Sequence, residues 1–262
     1  MSTRYFLLCF LLIIFSQAIN SQSNKFKSFD GVQIVYTDEG NGEVVLLLHG
    51  FINSRKSWEK TALRKDLLEA GYRVIIPDLR GNGDSDKPQS EEAYQNNAEV
   101  KDLVLLMNHL NIDRYKAVGY SRGSIVLAKL LTEDNRIEKA VLGGMGIDFT
   151  NPNWDRRMMF SRAFNGNVND ITKGAVDYAK SINADLRSLH LQQKYQPVTS
   201  IGELNKIEID VLVICGDEDI ENGDAKDLSH NFENGELIKV VGDHNGTFKT
   251  QAFSNSVVQF LE

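Results

Sequence analysis

Cysteine is nearly missing from these 262 residues, with one near the start, Cys9, and one far along the chain, Cys215. If the leading segment is removed, Cys215 has no partner, and stability has to come from a packed core rather than a disulfide. Cys215 itself lies in the strand-like run "VLVICG" and reads as a small buried hydrophobe. Runs of lysine or arginine are missing too, and the formal charge is −7. That balance argues against a nucleic-acid partner, which calls for a basic stripe. The five histidines include no two-histidine helical motif, so neither a metal site nor a cofactor is expected. Internal repeats and low-complexity tracts are absent as well.

A membrane-spanning helix needs about 20 apolar residues, and the apolar run from Tyr5 to Phe15 falls short of that. Behind Arg4, and followed by Ser16-Gln17-Ala18, it has the pattern of a secretory signal. The expectation is a signal peptide over residues 1–23, cut near Ala18 or after Ser23. The protein would then be exported, periplasmic or secreted, with no membrane span left after cleavage. Losing Arg4 makes the mature chain more acidic still.

What remains is long enough for one large domain, and its 42% hydrophobic and 25% charged residues are ordinary for a globular protein. "EVVLLLHG", "YRVIIPD", "YKAVG", "IEKAVLGG" and "IDVLVICGDED" are apolar at nearly every position, as strands covered on both faces are. Helical spacing separates them, in "SWEKTALRKDLLEAG", "AEVKDLVLLMNHL" and "SIVLAKLLT". The alternation predicts an α/β fold: a mostly parallel central sheet with helices on both faces. It breaks from about 148 to 206, where no strand-like run occurs. We read residues 24–262 as one domain carrying a short helical lid insertion there.

"GYSRGS", residues 119–124, joins a predicted strand to a predicted helix. Glycine on both sides of a serine suits a turn so sharp that a side chain at Gly119 or Gly123 would collide with its surroundings. A helix N-terminus beside Ser121 would favour a developing oxyanion. A serine hydroxyl needs a base, and the base a third group to orient it. Later strands end in "GDED", with Asp217, Glu218 and Asp219 all open as that third group, and in "GDHN", with His244 as base.

With "LLLHGF", "PDLRGNGDSDKP", "GYSRGS", "GDED" and "GDHN" in this order, the sequence resembles the α/β-hydrolase superfamily, in its short-lidded esterase, haloperoxidase-like and epoxide-hydrolase-like branch. The resemblance covers residues 27–262. It implies Ser121 as nucleophile, His244 as general base and Asp219 as the orienting acid, with Asp217 and Asp148 as rivals. It also implies an oxyanion hole made by the backbone N–H groups of Phe51 and Arg122. Relatives that attack epoxides or carbon–halogen bonds covalently carry aspartate at the nucleophile position, so Ser121 points to acyl chemistry. Arg122 stands where many relatives have an uncharged residue; a structural ion pair is its default role, a substrate carboxylate the other.

The expected function is a serine carboxylesterase acting on small or medium esters through an acyl-enzyme, its partner a small-molecule acyl substrate. A small-molecule receptor on the same scaffold is the alternative. Thioester, lactone, amide or carbon–carbon bond hydrolysis and cofactor-free perhydrolysis would use the same constellation. His49 is expected to brace its loop, and Asp78, Arg80 and Asp84 to shape theirs. His109 and His230 read as helix ends, and His190 as a residue of the insertion, with contact to the substrate as its other reading. Trp58, Trp154, Met158, Met159, Phe160 and Phe164 are apolar enough to line an acyl pocket, although packing is the commoner use of such residues.

Overall fold

The structure is a computed structural model that describes residues 23–262. The expected signal peptide, Cys9 included, lies outside the described residues except for Ser23. The strands are β1 (Asn24–Lys27), β2 (Gln33–Glu39), β3 (Val44–Leu48), β4 (Arg73–Pro77), β5 (Tyr115–Tyr120), β6 (Ile137–Gly143), β7 (Asp210–Gly216) and β8 (Asn234–Val240). They form one sheet in the order β1-β2-β4-β3-β5-β6-β7-β8. β1 and β2 pair antiparallel, as do β2 and β4, and every pairing from β4 to β8 is parallel.

Two-residue periodicity splits each central strand between two cores. Val44, Leu46 and Leu48 of β3 face one cluster; Val45 and Leu47 face the other. The first cluster takes in α3 (Ala98–His109), α4 (Arg122–Glu133) and α9 (Ala225–Ser229). The second takes in α2 (Ala62–Glu69) and α10 (Gln251–Leu261). Both faces are therefore covered, which is why β3 and β5 are buried along their whole length.

The single helix expected through Trp58 and Leu68 is two, α1 (Lys56–Glu59) and α2. Thr61 is the cause. Its backbone is extended, and its hydroxyl accepts from the Arg64 N–H at 3.4 Å and donates to the Trp58 carbonyl at 2.8 Å. β1, whose sequence "NKFK" has one apolar residue, is a strand the pattern did not reveal.

Between β6 and β7 lie α5 (Asp155–Phe164), α6 (Asp170–Ser181), α7 (Leu186–Lys194) and α8 (Ile201–Leu204). α5, α6 and α7 are longer than the short patches the sequence suggested, whereas α8 is one short turn. α6 starts in a reciprocal cap between Asn169 and Thr172. Ala163, Phe164, Val176, Ala179 and Leu189 bury against Ile52, with Phe51 packed alongside. The segment thus rests on the loop that follows β3.

A buried ion pair locks the loop after β4. Arg80 forks onto Asp102 of α3 with both N–O distances 2.6 Å, and the Ser28 hydroxyl donates to the same carboxylate at 2.5 Å. Asp30 adds a contact to Arg80 at 2.9 Å. Arg80 is fully buried and Asp102 nearly so. Removing Asp102 leaves the buried Arg80 with the partly exposed Asp30 as its one remaining carboxylate. Asp102→Ala is expected to lower the free energy of unfolding in urea by about 3–5 kcal/mol.

Candidate active site

Ser121 joins β5 to α4 with φ 54° and ψ −123°, a conformation costly for a residue with a side chain. The flanking glycines make the turn possible. A Cβ on Gly119 would lie 2.5 Å from the Gly123 carbonyl, and one on Gly123 would lie 2.3 Å from the Leu48 carbonyl oxygen. Strand, turn and helix approach too closely for either side chain. The Ser121 N–H donates to the Gly143 carbonyl at 2.7 Å, and the Ser124 N–H to the Ser121 carbonyl at 2.9 Å, which fix the turn against β6.

The serine hydroxyl lies 2.9 Å from His244 Nε2, and His244 Nδ1 lies 2.7 Å from Asp219 Oδ2. Three strand ends supply these groups: β5 leads to Ser121, β7 to Asp219, and β8 to His244. Asp219 is almost completely buried and the imidazole partly exposed. Asp217, two residues earlier, turns away and accepts from the Gly242 N–H at 2.9 Å. Asp148 lies against Gly223, on a short 3-10 turn after β6.

Two neighbours complete the arrangement and were not singled out from sequence. The Asn222 amide donates to Asp219 Oδ1 at 3.3 Å and lies 3.0 Å from His244 Nδ1. The Tyr120 hydroxyl donates to the His244 carbonyl at 2.7 Å, with its ring tilted against the imidazole. Burial, then the nearby Asp219, pushes the Tyr120 phenol well above its ordinary pKa, so it stays a donor. An asparagine three residues after an acid, and a tyrosine inside an apolar strand, carry no signal of their own.

The loop after β3 passes beside Ser121: a Cβ on Gly50 would lie 3.2 Å from Ser121 Cβ. The Gly50–Phe51 peptide therefore runs along the serine. Arg122 opens α4, where N–H groups have no acceptor inside the helix. His49 braces this loop. Its Nδ1–H donates to the Gly50 carbonyl at 2.9 Å, and its Nε2 accepts from the Leu79 N–H at 3.1 Å. Burial, opposed by Asp78, holds its pKa below the ordinary value, consistent with a neutral ring. Asp78 pairs with Arg55, which also reaches Asp84 at 2.7 Å.

A cavity of about 160 Å³ opens at Ser121 and His244. Trp154 and Phe160 line it. Trp58 does not; it sits in the second core, edge-on to Phe248. Phe164 packs on Phe51 instead, and Met158 is exposed. The Arg122 guanidinium forks onto Glu99, one distance being 2.9 Å, and reaches the Gln192 carbonyl at 3.2 Å. His190 is buried in α7 with Nδ1 2.7 Å from the Ser161 carbonyl, His109 lies tilted against Phe26, and His230 ends α9.

The sequence profile of the alpha/beta hydrolase fold matches residues 43–196. Epoxide hydrolase 3 of Siraitia grosvenorii is 41% identical over 97 residues, which are 37% of this chain and 30% of that protein. The matches span well under half the length of the first curated relatives. The bromoperoxidase from Bacillus anthracis superposes with a TM-score of 0.72 at 22% identity, covering 92% of this chain and 99% of the other. An esterase from Exiguobacterium antarcticum gives 0.72 at 20% identity, with 92% and 99% covered. At such identities these two structures establish the fold alone.

Proposed function

This chain belongs to the alpha/beta hydrolase family, and from that premise we propose that it is a serine carboxylesterase working through an acyl-enzyme. The observation that carries the proposal is the continuous chain of hydrogen bonds Ser121–His244–Asp219 at the mouth of a cavity. His244 Nε2 takes the hydroxyl proton as Ser121 Oγ attacks the ester carbonyl. Asp219 accepts Nδ1–H throughout and stabilises the imidazolium. The N–H groups of Phe51 and Arg122 donate to the oxyanion, each worth on the order of 100–1,000-fold in rate. His244 returns the proton to the departing alcohol, and water then releases the acid by the same steps reversed.

Relatives named as epoxide hydrolases and haloperoxidases leave the bond attacked open at the level of family. Serine at position 121 favours an ester, because the covalent intermediate it forms is itself an ester that water can cleave. The cavity supports a small acyl group: about 160 Å³ is close to the ~150 Å³ that accommodates a benzene molecule in an engineered protein cavity. Export through the leader remains part of the proposal.

Fluorophosphonate labelling followed by peptide mapping tests the reading. A single adduct on Ser121, absent in His244→Ala, is expected. A folded protein that takes no adduct would instead favour a small-molecule receptor on this scaffold.

A further inference from the structure

Among the described residues, three arginines, Arg122, Arg156 and Arg157, line the cavity at Ser121, and no carboxylate does. Two of the three have anionic partners. Arg122 is forked onto Glu99, and Arg156 reaches Glu221 at 2.8 Å. Arg157, on α5, has none. Its Nε donates to the Gln193 carbonyl at 2.7 Å, and its terminal nitrogens to the carbonyls of Pro152 at 3.0 Å and Lys194 at 2.6 Å. The residue is only 8% exposed.

Gln193 and Lys194 end α7, so Arg157 also caps a helix C-terminus. That end carries the equivalent of roughly half a negative charge, which leaves the guanidinium undercompensated. Burial, and then the neighbouring Arg122, draw the Arg157 pKa below its ordinary value. A buried cation normally has a counter-ion.

A second observation is independent of charge. Arg122 Nε and Gln196 Nε2 are buried nitrogens with no hydrogen-bond partner, on residues 3% and 4% exposed. Both residues line this same cavity. Buried donors rarely stay unpaired. The last torsion of a glutamine is broad and two-fold, so the Gln196 amide can turn toward a bound group at little cost. An anionic acceptor with more than one oxygen, bound in the cavity, would answer both the Arg157 charge and a turned Gln196 amide.

We propose that the substrate is an ester bearing a free carboxylate, held by Arg157 and Gln196 beside the Arg122 side chain while Ser121 faces its ester carbonyl. The substrate assignment rests on the esterase reading above; the carboxylate site does not require turnover. The carboxylate takes part in no covalent step. It belongs either to the acyl half, as in a half-ester of a short dicarboxylic acid, or to the alcohol half, as in an acylated hydroxy acid.

Binding to the Ser121→Ala protein separates this question from catalysis. Calorimetric titrations would compare monomethyl glutarate with methyl valerate, and acetoxyacetate with propyl acetate. At least one acid is expected to bind tenfold or more tighter than its neutral counterpart. The acid with the larger advantage identifies the half that carries the charge. In the Ser121→Ala background, Arg157→Gln and Gln196→Glu are each expected to remove the advantage. If Arg157→Gln fails to fold for want of its helix cap, Gln196→Glu decides alone. Equal affinities within both pairs, or an advantage that survives Gln196→Glu, would overturn the proposal. Neither result would bear on fluorophosphonate labelling of Ser121, so the two readings fail separately.

Discussion

Ser121→Ala is expected to lower turnover of an activated ester by on the order of 10⁶-fold, with the melting temperature close to that of the parent. The alanine keeps the backbone strain and the packing of the turn but has no nucleophile. Ser121→Gly makes the complementary point. Its rate should fall as far, yet the protein should become more stable by about 1 kcal/mol. Glycine adopts φ 54° without the penalty of roughly 1–3 kcal/mol that such a conformation imposes on other residues. The glycine variant's larger backbone entropy loss and the missing contact to His244 take back part of that gain. Steady-state assays paired with thermal melts read both quantities. Substantial turnover by a verified Ser121→Ala preparation would remove the serine from the mechanism.

The second large effect concerns the acid. Asp219→Asn places an amide opposite His244 Nδ1 and favours the tautomer with its proton on Nε2, where it cannot accept from Ser121. A loss on the order of 10⁴-fold in kcat is expected. Asp217→Asn should stay within a few-fold of the parent, because the amide oxygen can still accept from the Gly242 N–H as the carboxylate does now. Asn222 adds a diagnostic. Its side chain lies 3.0 Å from Nδ1, and with its amide reversed, its oxygen could accept the Nδ1 proton and restore part of the lost rate. Combining Asp219→Asn with Asn222→Ala should therefore be slower than Asp219→Asn alone. Parity between the two would mean that Asn222 orients Asp219 and nothing more. Full activity in Asp219→Asn would transfer the acid's role elsewhere.

The strand-and-helix alternation was legible because β3, β5 and β7 are buried on both faces and so contain little that is not apolar. The motifs "GYSRGS", "GDED" and "GDHN" gave the order of Ser121, Asp219 and His244, and the structure draws those residues into one hydrogen-bonded chain. Asp219 stood beside Asp217 with nothing local to separate them. What distinguishes them is the direction of each side chain after β7, which depends on the β8 loop that each can reach. The cavity wall was still less legible. Arg157 and Gln196 act through the end of α7 and the loop beyond it, and no short spacing in sequence encodes a helix packed across another. Trp58, read as packing more than pocket, could not be assigned from sequence for a related reason. An aromatic side chain suits a core as well as a pocket, and only the direction of its helix decides which.

The order in which the triad is supplied has a consequence for the life of the chain before it is folded. Serine and histidine are 123 residues apart, and the histidine follows β8, one of the sheet's two edge strands, which pairs with β7 among the described residues. A nascent chain that has emerged through β5 already carries its nucleophile, but a hydroxyl with no base is inert. On the proposed mechanism, reactivity arises only when β8 is laid down and brings His244 over the turn. By that mechanism the chain can form no acyl-enzyme during synthesis, or during any passage through a membrane as an extended polypeptide. Its dormancy is a property of topology, and completion of the sheet is the event that ends it.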